Sequence, residues 1–143
     1  MADPGAAAQR INDRLAQLWE AAERTGPRYQ DFGLTSQQHV ILSRLLAAPE
    51  STAGALAADL GVTKGAMSQH LTALERDGFI VREPSPHDRR VQVLRLGARG
   101  EAYRADWERY DAALTERYTA HLSGADMEEI EAALAKLARA FEA

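Results

Sequence analysis

Between Thr52 and Gly78 the chain leaves room for two helices and almost nothing to join them. Thr52 is placed to cap the run AGALAADL, and Gly61 can end it because glycine enters the left-handed conformation cheaply. Only Gly61 and Val62 then separate this helix from Thr63, the next capping residue. The following run, KGAMSQHLTALERD, turns Met67, Leu71 and Leu74 to one side at steps of four and three, and Gly78 closes it. Two helices joined by so short a glycine turn have the spacing of a helix-turn-helix.

Beyond Gly78 the period changes. FIVRE and VQVLRL are short, rich in branched residues and separated by PSPHDRR, the pattern of a two-stranded ribbon with a long tip. After Leu96 the helical period returns, with Tyr103, Trp107, Tyr110, Leu114 and Tyr118 marking a stripe on a helix that reaches about Leu122. Ser123 is placed to cap a last helix, in which Met127, Ile130, Leu134, Leu137 and Phe141 step by three, four, three and four, a coiled-coil-like seam. Upstream, Ile11, Leu15, Leu18 and Ala22 mark a narrow stripe on a helix from Gln9 to about Arg24, which TGPRYQDFG breaks. Thr35 and Gln38 form a capping box for the next helix, whose Val40, Ile41, Leu42, Leu45 and Leu46 supply a broad apolar face.

The fold class expected is mainly α (α+β), a winged helix-turn-helix with a two-stranded wing, flanked by N- and C-terminal dimerisation helices. The chain divides accordingly into a disordered tail (1–8), an N-terminal dimerisation helix and loop (9–33), the winged lobe (34–97) and C-terminal dimerisation helices (98–143). The terminal helices cannot fold back and bury every stripe on so small a centre, so a second copy is expected to cover them. An intramolecular terminal bundle is the alternative, and it would leave a monomer.

With 143 residues, 45% of them apolar, the chain can build one domain with a real core, or a small one with helical extensions. It contains no cysteine, which excludes disulfides, thiolate metal sites, a cysteine nucleophile and a thiol redox switch within it. No apolar run approaches the roughly 20 residues that cross a bilayer, and MADPGAAAQ lacks the basic start and apolar core of a signal peptide. A cytoplasmic protein with no membrane partner is expected. The net charge of −4 argues against a chain that coats nucleic acid uniformly. Yet residues 61–100 carry seven basic and four acidic side chains, a net of +3 that leaves −7 for the remainder.

The run LAADLGVTKGAMSQHLTALERDGFIVREPSPHDRRVQVLRLGARG resembles the winged core of MarR-family transcriptional regulators. The likeness lies in the L-A-x-x-L-G-x-(S/T)-K helix pair, the D-G-(L/F)-(I/V) that follows it, the D-x-R of the wing and the flanking helices. It covers roughly residues 9–142. The helix pair alone is moderately specific, because other winged helices share it; the wing motif and both flanking helices make the match strong. One departure is that Gly97 stands where the family usually has threonine after the second wing strand, and glycine caps a helix slightly less well.

The resemblance implies a homodimer binding double-stranded DNA, with the second helix of the pair in the major groove and the wing tip along the minor groove. Its candidate DNA contacts are Thr63, Lys64, Gly65, Ser68, Gln69 and Thr72 on the helix and Asp88, Arg89 and Arg90 on the wing. The chemistry suits them. Gln69 can pair bidentately with adenine, Ser68 with several bases, Lys64 with phosphate or guanine, while Gly65 permits close backbone approach. Arg90 would enter the minor groove, Asp88 would hold its guanidinium, and Arg89 would take phosphate. His70, between the outward and inward faces, is expected at the edge of the core. The family also implies a repressor that releases a pseudo-palindromic operator on binding a small aromatic or phenolic effector. Trp19, Tyr29, His39, Tyr103 and Trp107 are the candidate lining for such a site, although aromatics at helical spacing more often serve a core.

No cofactor, metal site or enzymatic activity is expected. Ser85, His87 and Asp88 are neighbours in one loop and cannot converge as a triad does. No phosphate loop, G-x-S-x-G or dinucleotide fingerprint is present. The four histidines, His39, His70, His87 and His121, fall on four different elements. The alternative from another class is a winged-helix dimer that serves as a protein-interaction module. It would carry an apolar or acidic recognition helix, unlike Lys64, Ser68, Gln69 and Thr72.

Overall fold

The first helix, α1 (Pro4–Thr25), starts earlier than its apolar stripe indicates. Asp3 accepts a hydrogen bond from the Gly5 amide at 3.0 Å, and Pro4 begins the helix with its φ already set. Three alanines then continue it. Residues 4–8, expected within a disordered tail, are therefore helical; alanine drives helix formation while adding little to a hydrophobic stripe. The computed structural model describes residues 3–142, so residues 1 and 2 of that expected tail lie outside the described residues.

The chain forms two compact units, Met1–Trp107 and Glu108–Ala143. In the first, a 3-10 turn (Tyr29–Phe32) ends at Gly33, whose φ is 73°. The next helix, α2 (Ser36–Ala47), opens with the capping box: Thr35 Oγ1 accepts from the Gln38 amide at 3.2 Å, and Gln38 Oε1 accepts from the Thr35 amide at 3.0 Å. Thr52 caps α3 (Ala53–Leu60), and Gly61 ends it in the left-handed conformation at φ 63°. The Val62 amide then donates to the Ala57 carbonyl at 3.1 Å, which satisfies a carbonyl the helix would leave open. Two residues later α4 (Lys64–Arg76) begins, capped by Thr63 through the Ala66 amide at 3.1 Å.

One apolar cluster unites these elements. Met67, Leu71 and Leu74 of α4 are buried with Ile41, Leu42 and Leu45 of α2, Leu56 of α3 and Tyr103 downstream. Strand β1 (Ile80–Pro84) pairs antiparallel with β2 (Gln92–Leu96), Ile80 opposite Leu96 and Pro84 opposite Gln92. Phe79, expected in the first strand, instead finishes α4, its amide donating to the Leu74 carbonyl at 2.8 Å. On its other edge β2 is tied to the segment before α3, where the Leu94 amide donates to the Ser51 carbonyl at 2.9 Å.

A long helix, α5 (Ala98–His121), begins in the first unit and continues into the second, where α6 (Gly124–Ala138) and a 3-10 turn (Arg139–Phe141) follow. Ser123 and Asp126 close a capping box at the start of α6. No residue of α1 or α6 is buried. Their stripes stay open, with Leu18 at 65% exposure, Leu134 at 50% and Phe141, just beyond α6, at 82%.

The base of the wing presses onto the turn that closes α4. The Gly97 amide donates to the Phe79 carbonyl at 2.8 Å, and a Cβ built on Gly97 would stand 2.5 Å from the Gly78 carbonyl oxygen. At Gly100 a Cβ would stand 2.2 Å from the Phe79 oxygen. Glycine at 97 thus follows from backbone contact rather than from capping. Gly97→Thr should destabilise the fold by about 1–3 kcal/mol in urea unfolding, although threonine is the better cap. A variant as stable as the parent would show that the contact relaxes freely.

Candidate nucleic-acid interface

Burial of Met67, Leu71 and Leu74 leaves the opposite face of α4 to solvent. Thr63, Lys64, Gly65, Ser68, Gln69 and Thr72 are all exposed, on the helix cap and the first turns. His70 is half-buried between the two faces. A Cβ on Gly65 would meet no atom of the described residues within 4 Å, so none of them requires a glycine there. The exposed set offers amide, hydroxyl and ammonium groups that can hydrogen-bond base edges and phosphates.

The wing tip is internally braced. Ser85 is buried, its amide donating to the Val91 carbonyl at 2.7 Å and its hydroxyl accepting from the His87 amide at 3.2 Å. Asp88 receives three bonds from Arg90, each at 3.1 Å: from its amide, its Nε and its Nη2. The arginine head still projects, its side chain 91% exposed. The hydrogen bonds from the Arg90 side chain and amide hold the Asp88 carboxyl below the usual carboxylate range, and Asp88 in turn raises Arg90. Asp88 therefore stays ionised at neutral pH and keeps the guanidinium plane in one orientation.

Counting charges along the segment overstates its field. Arg82 pairs with Glu75 at 2.9 Å, Arg95 lies between Glu50 at 2.9 Å and Glu83 at 2.8 Å, and Arg76 pairs with Asp77 at 3.0 Å. Among the described residues Lys64 and Arg89 form no ion pair, and Arg90 is paired only within the wing tip. Of the cations in residues 61–100, Lys64 at the start of α4 and Arg89 and Arg90 at the wing tip remain outward, while Arg99 is held by two backbone carbonyls. These pairings bring residues up to 45 apart together, which linear spacing does not reveal.

Of the five candidate aromatic residues, four come together. Tyr29 and Trp107 each stack near His39, with centroids 4.8 and 5.6 Å from its ring, and Tyr103 meets His39 edge-on at 6.1 Å. His39 Nδ1 and the Tyr103 hydroxyl are hydrogen-bonded. Phe32, which no periodicity singles out, packs edge-on against Tyr103 at 5.3 Å. Trp19 stands apart on α1 at 68% exposure. The rings fill space against one another, as a core does. A separate cleft of about 210 Å³ lies between the end of α2, β2 and the start of α5, lined by Leu45, Leu94, Glu50, Arg95 and Arg104 among others. Among the described residues no three His, Asp or Glu side chains gather as a metal site, and no helix is long and apolar enough to cross a membrane.

Helix pair, wing and braced tip define a winged helix-turn-helix protein. The MarR family model matches residues 32–91. Streptococcus pneumoniae FabT, solved in complex with DNA, is 26% identical, with a TM-score of 0.72 over 94% of this chain and 97% of that one. A MarR-like transcriptional regulator from Thermotoga maritima superposes with a TM-score of 0.78 at 17% identity, covering 100% of this chain and 99% of that one. Staphylococcus aureus MarR, solved with salicylate and kanamycin, gives 0.71 at 17% identity over 96% and 93%. No curated protein matches the chain. Over residues 32–91 the chain is similar to the MarR family, and its fold is that of the MarR-like regulators it superposes on.

Burial lowers the His39 pKa below its ordinary value of 6.5. The unfolded chain therefore takes up this proton first as the pH falls. His39 contributes full stability above about pH 6.5 and loses it as the pH drops through that value toward the folded pKa. Urea midpoints measured from about pH 8 to 5 should fall more steeply for the parent than for His39→Gln. Parallel profiles would mean that His39 does not carry this dependence.

Proposed function

We propose that the protein is a sequence-specific double-stranded DNA-binding transcriptional regulator that acts as a homodimer on a pseudo-palindromic operator. The observation that carries this reading is the division of α4 into a buried apolar face and an exposed polar one, with Lys64, Gly65, Ser68, Gln69 and Thr72 outward. Thr63 caps this helix at the end that would enter the major groove. The wing adds Asp88, Arg89 and Arg90, whose outward guanidinium suits a narrow, negative minor groove. FabT, of the same fold and 26% identical, was solved with DNA bound.

Dimerisation is supported by the open apolar stripes of α1 and of the C-terminal segment, Leu18 and Trp19 on one and Ile130, Leu134 and Phe141 on the other. Apolar surface of this kind marks association sites. A dimer would present two recognition helices about 34 Å apart, one turn of duplex. Repression relieved by a small aromatic or phenolic ligand completes the reading. Tyr29, His39, Tyr103 and Trp107 are its candidate contacts, with Trp19 contributing only if the ligand reaches α1. S. aureus MarR was solved with salicylate, which gives the ligand class a precedent within the fold.

The decisive experiment is selection of bound duplexes from a random library at near-physiological salt, followed by sequencing. Enrichment of a pseudo-palindrome is the expected result. Retention without enrichment would reduce the function to phosphate-driven binding, and no retention would favour a protein-interaction module. On the enriched duplex Arg90→Ala should weaken binding roughly 5- to 150-fold and Asp88→Ala less. Unchanged affinity in both would remove the wing from the interface. With about eight phosphate contacts per dimer, log K should fall with log salt at a slope of about −7.

A further inference from the structure

Arg99 lies on the first turn of α5 and makes contacts with three separate parts of the chain. Its Nη2 donates to the Phe32 carbonyl at 2.9 Å, in the 3-10 turn before α2. Its Nη1 donates to the Asp77 carbonyl at 3.2 Å, at the C-terminal cap of α4. The guanidinium carbon sits 4.4 Å from the centre of the Phe79 ring, where the wing begins. No carboxylate among the described residues forms an ion pair with it.

This chemistry is particular to arginine. A planar fork can serve two carbonyls and stack on a ring at once, which an ammonium cannot. The Asp77 carbonyl also belongs to a helix end, where partial negative charge gathers and favours a cation. The site is prepared by the close backbone approach already described: Gly97 and Gly100 let α5 start directly on Gly78 and Phe79, with the Arg99 amide donating to the Gly78 carbonyl at 3.1 Å.

We propose that Arg99 is a positioning residue for DNA recognition, tying the C-terminal end of α4 to the Phe32 turn and so setting the direction in which the recognition helix leaves the lobe. The proposal rests on the reading of α4 and the wing as the DNA interface. Thirteen residues of α-helix span about 20 Å, so the candidate base contacts lie far along the helix from the cap that Arg99 holds. A tilt of about 5° at that cap displaces the opposite end by about 1.7 Å, more than the working range of a hydrogen bond. Phe32 packs on Tyr103, so the same tie connects the aromatic cluster to the recognition helix.

The test uses Arg99→Gln and Arg99→Lys in the full chain. Binding is measured on the selected duplex and on a scrambled one of equal length, at several salt concentrations. Active protein is fixed by stoichiometric titration, so that partial unfolding does not register as lost affinity. The expected result is a loss of about tenfold for Arg99→Gln on the selected duplex, little change on the scrambled one and an unaltered salt slope. Arg99→Lys, which keeps the charge but not the fork, should show the same split at smaller size. An equal loss on both duplexes with a slope reduced by about one would make Arg99 a phosphate contact and overturn the proposal. Parent-like binding by Arg99→Lys would overturn it as well if Arg99→Gln does not fold; otherwise parent-like binding by Arg99→Gln does so. If the parent selects no duplex at all, the DNA-binding reading itself fails, a result distinct from either of these.

Discussion

The contact on which the structure depends is the burial of one face of α4 against α2. An isolated helix of 13 residues is marginal in water, so α4 holds its shape because Met67, Leu71 and Leu74 leave solvent together with Ile41, Leu42 and Leu45. Each such side chain contributes about 1.5–3 kcal/mol when fully buried. Because the buried positions recur at helical steps, the same contact turns the polar positions outward as a set. The exposed face of α4 is therefore a consequence of the core.

The second organising feature is the junction where α4 ends, the wing begins and α5 starts. Backbone meets backbone there with no room for a Cβ on Gly97 or Gly100. Three elements that separate in sequence thus meet at one junction, and Arg99 ties the Phe32 turn to it. On the proposed function α4 and the wing would meet two grooves of one duplex together, and a shared base would set the angle between them. The wing tip follows the same rule on a smaller scale, since Asp88 orients Arg90 before any partner arrives.

Most helix ends were legible because their signals are local: Thr35 with Gln38, Thr52, Gly61, Thr63 and Ser123 act within a few residues of themselves. The start of α1 was less so, since alanine is a strong helix former without being a strong apolar marker. Gly97 looked like a weak cap and is a point of backbone contact instead. Of the aromatic residues, Tyr29, His39, Tyr103 and Trp107 meet while Trp19 does not. Periodicity tells which side of a helix a ring occupies but not which other helix it faces.

By itself the sequence determined the order of elements, the two faces of α4 and the residue types offered at the exposed face and the wing tip. These depend on dihedral preferences, capping and a 3.6-residue period, all of which act at short range. Only the tertiary structure decided which charges stay outward, because Arg82 and Arg95 find their carboxylates through strand pairing and chain reversal. It alone brought Phe32, Asp77 and Phe79 to Arg99. Contacts between residues tens of positions apart depend on how whole elements pack, and no local preference encodes that.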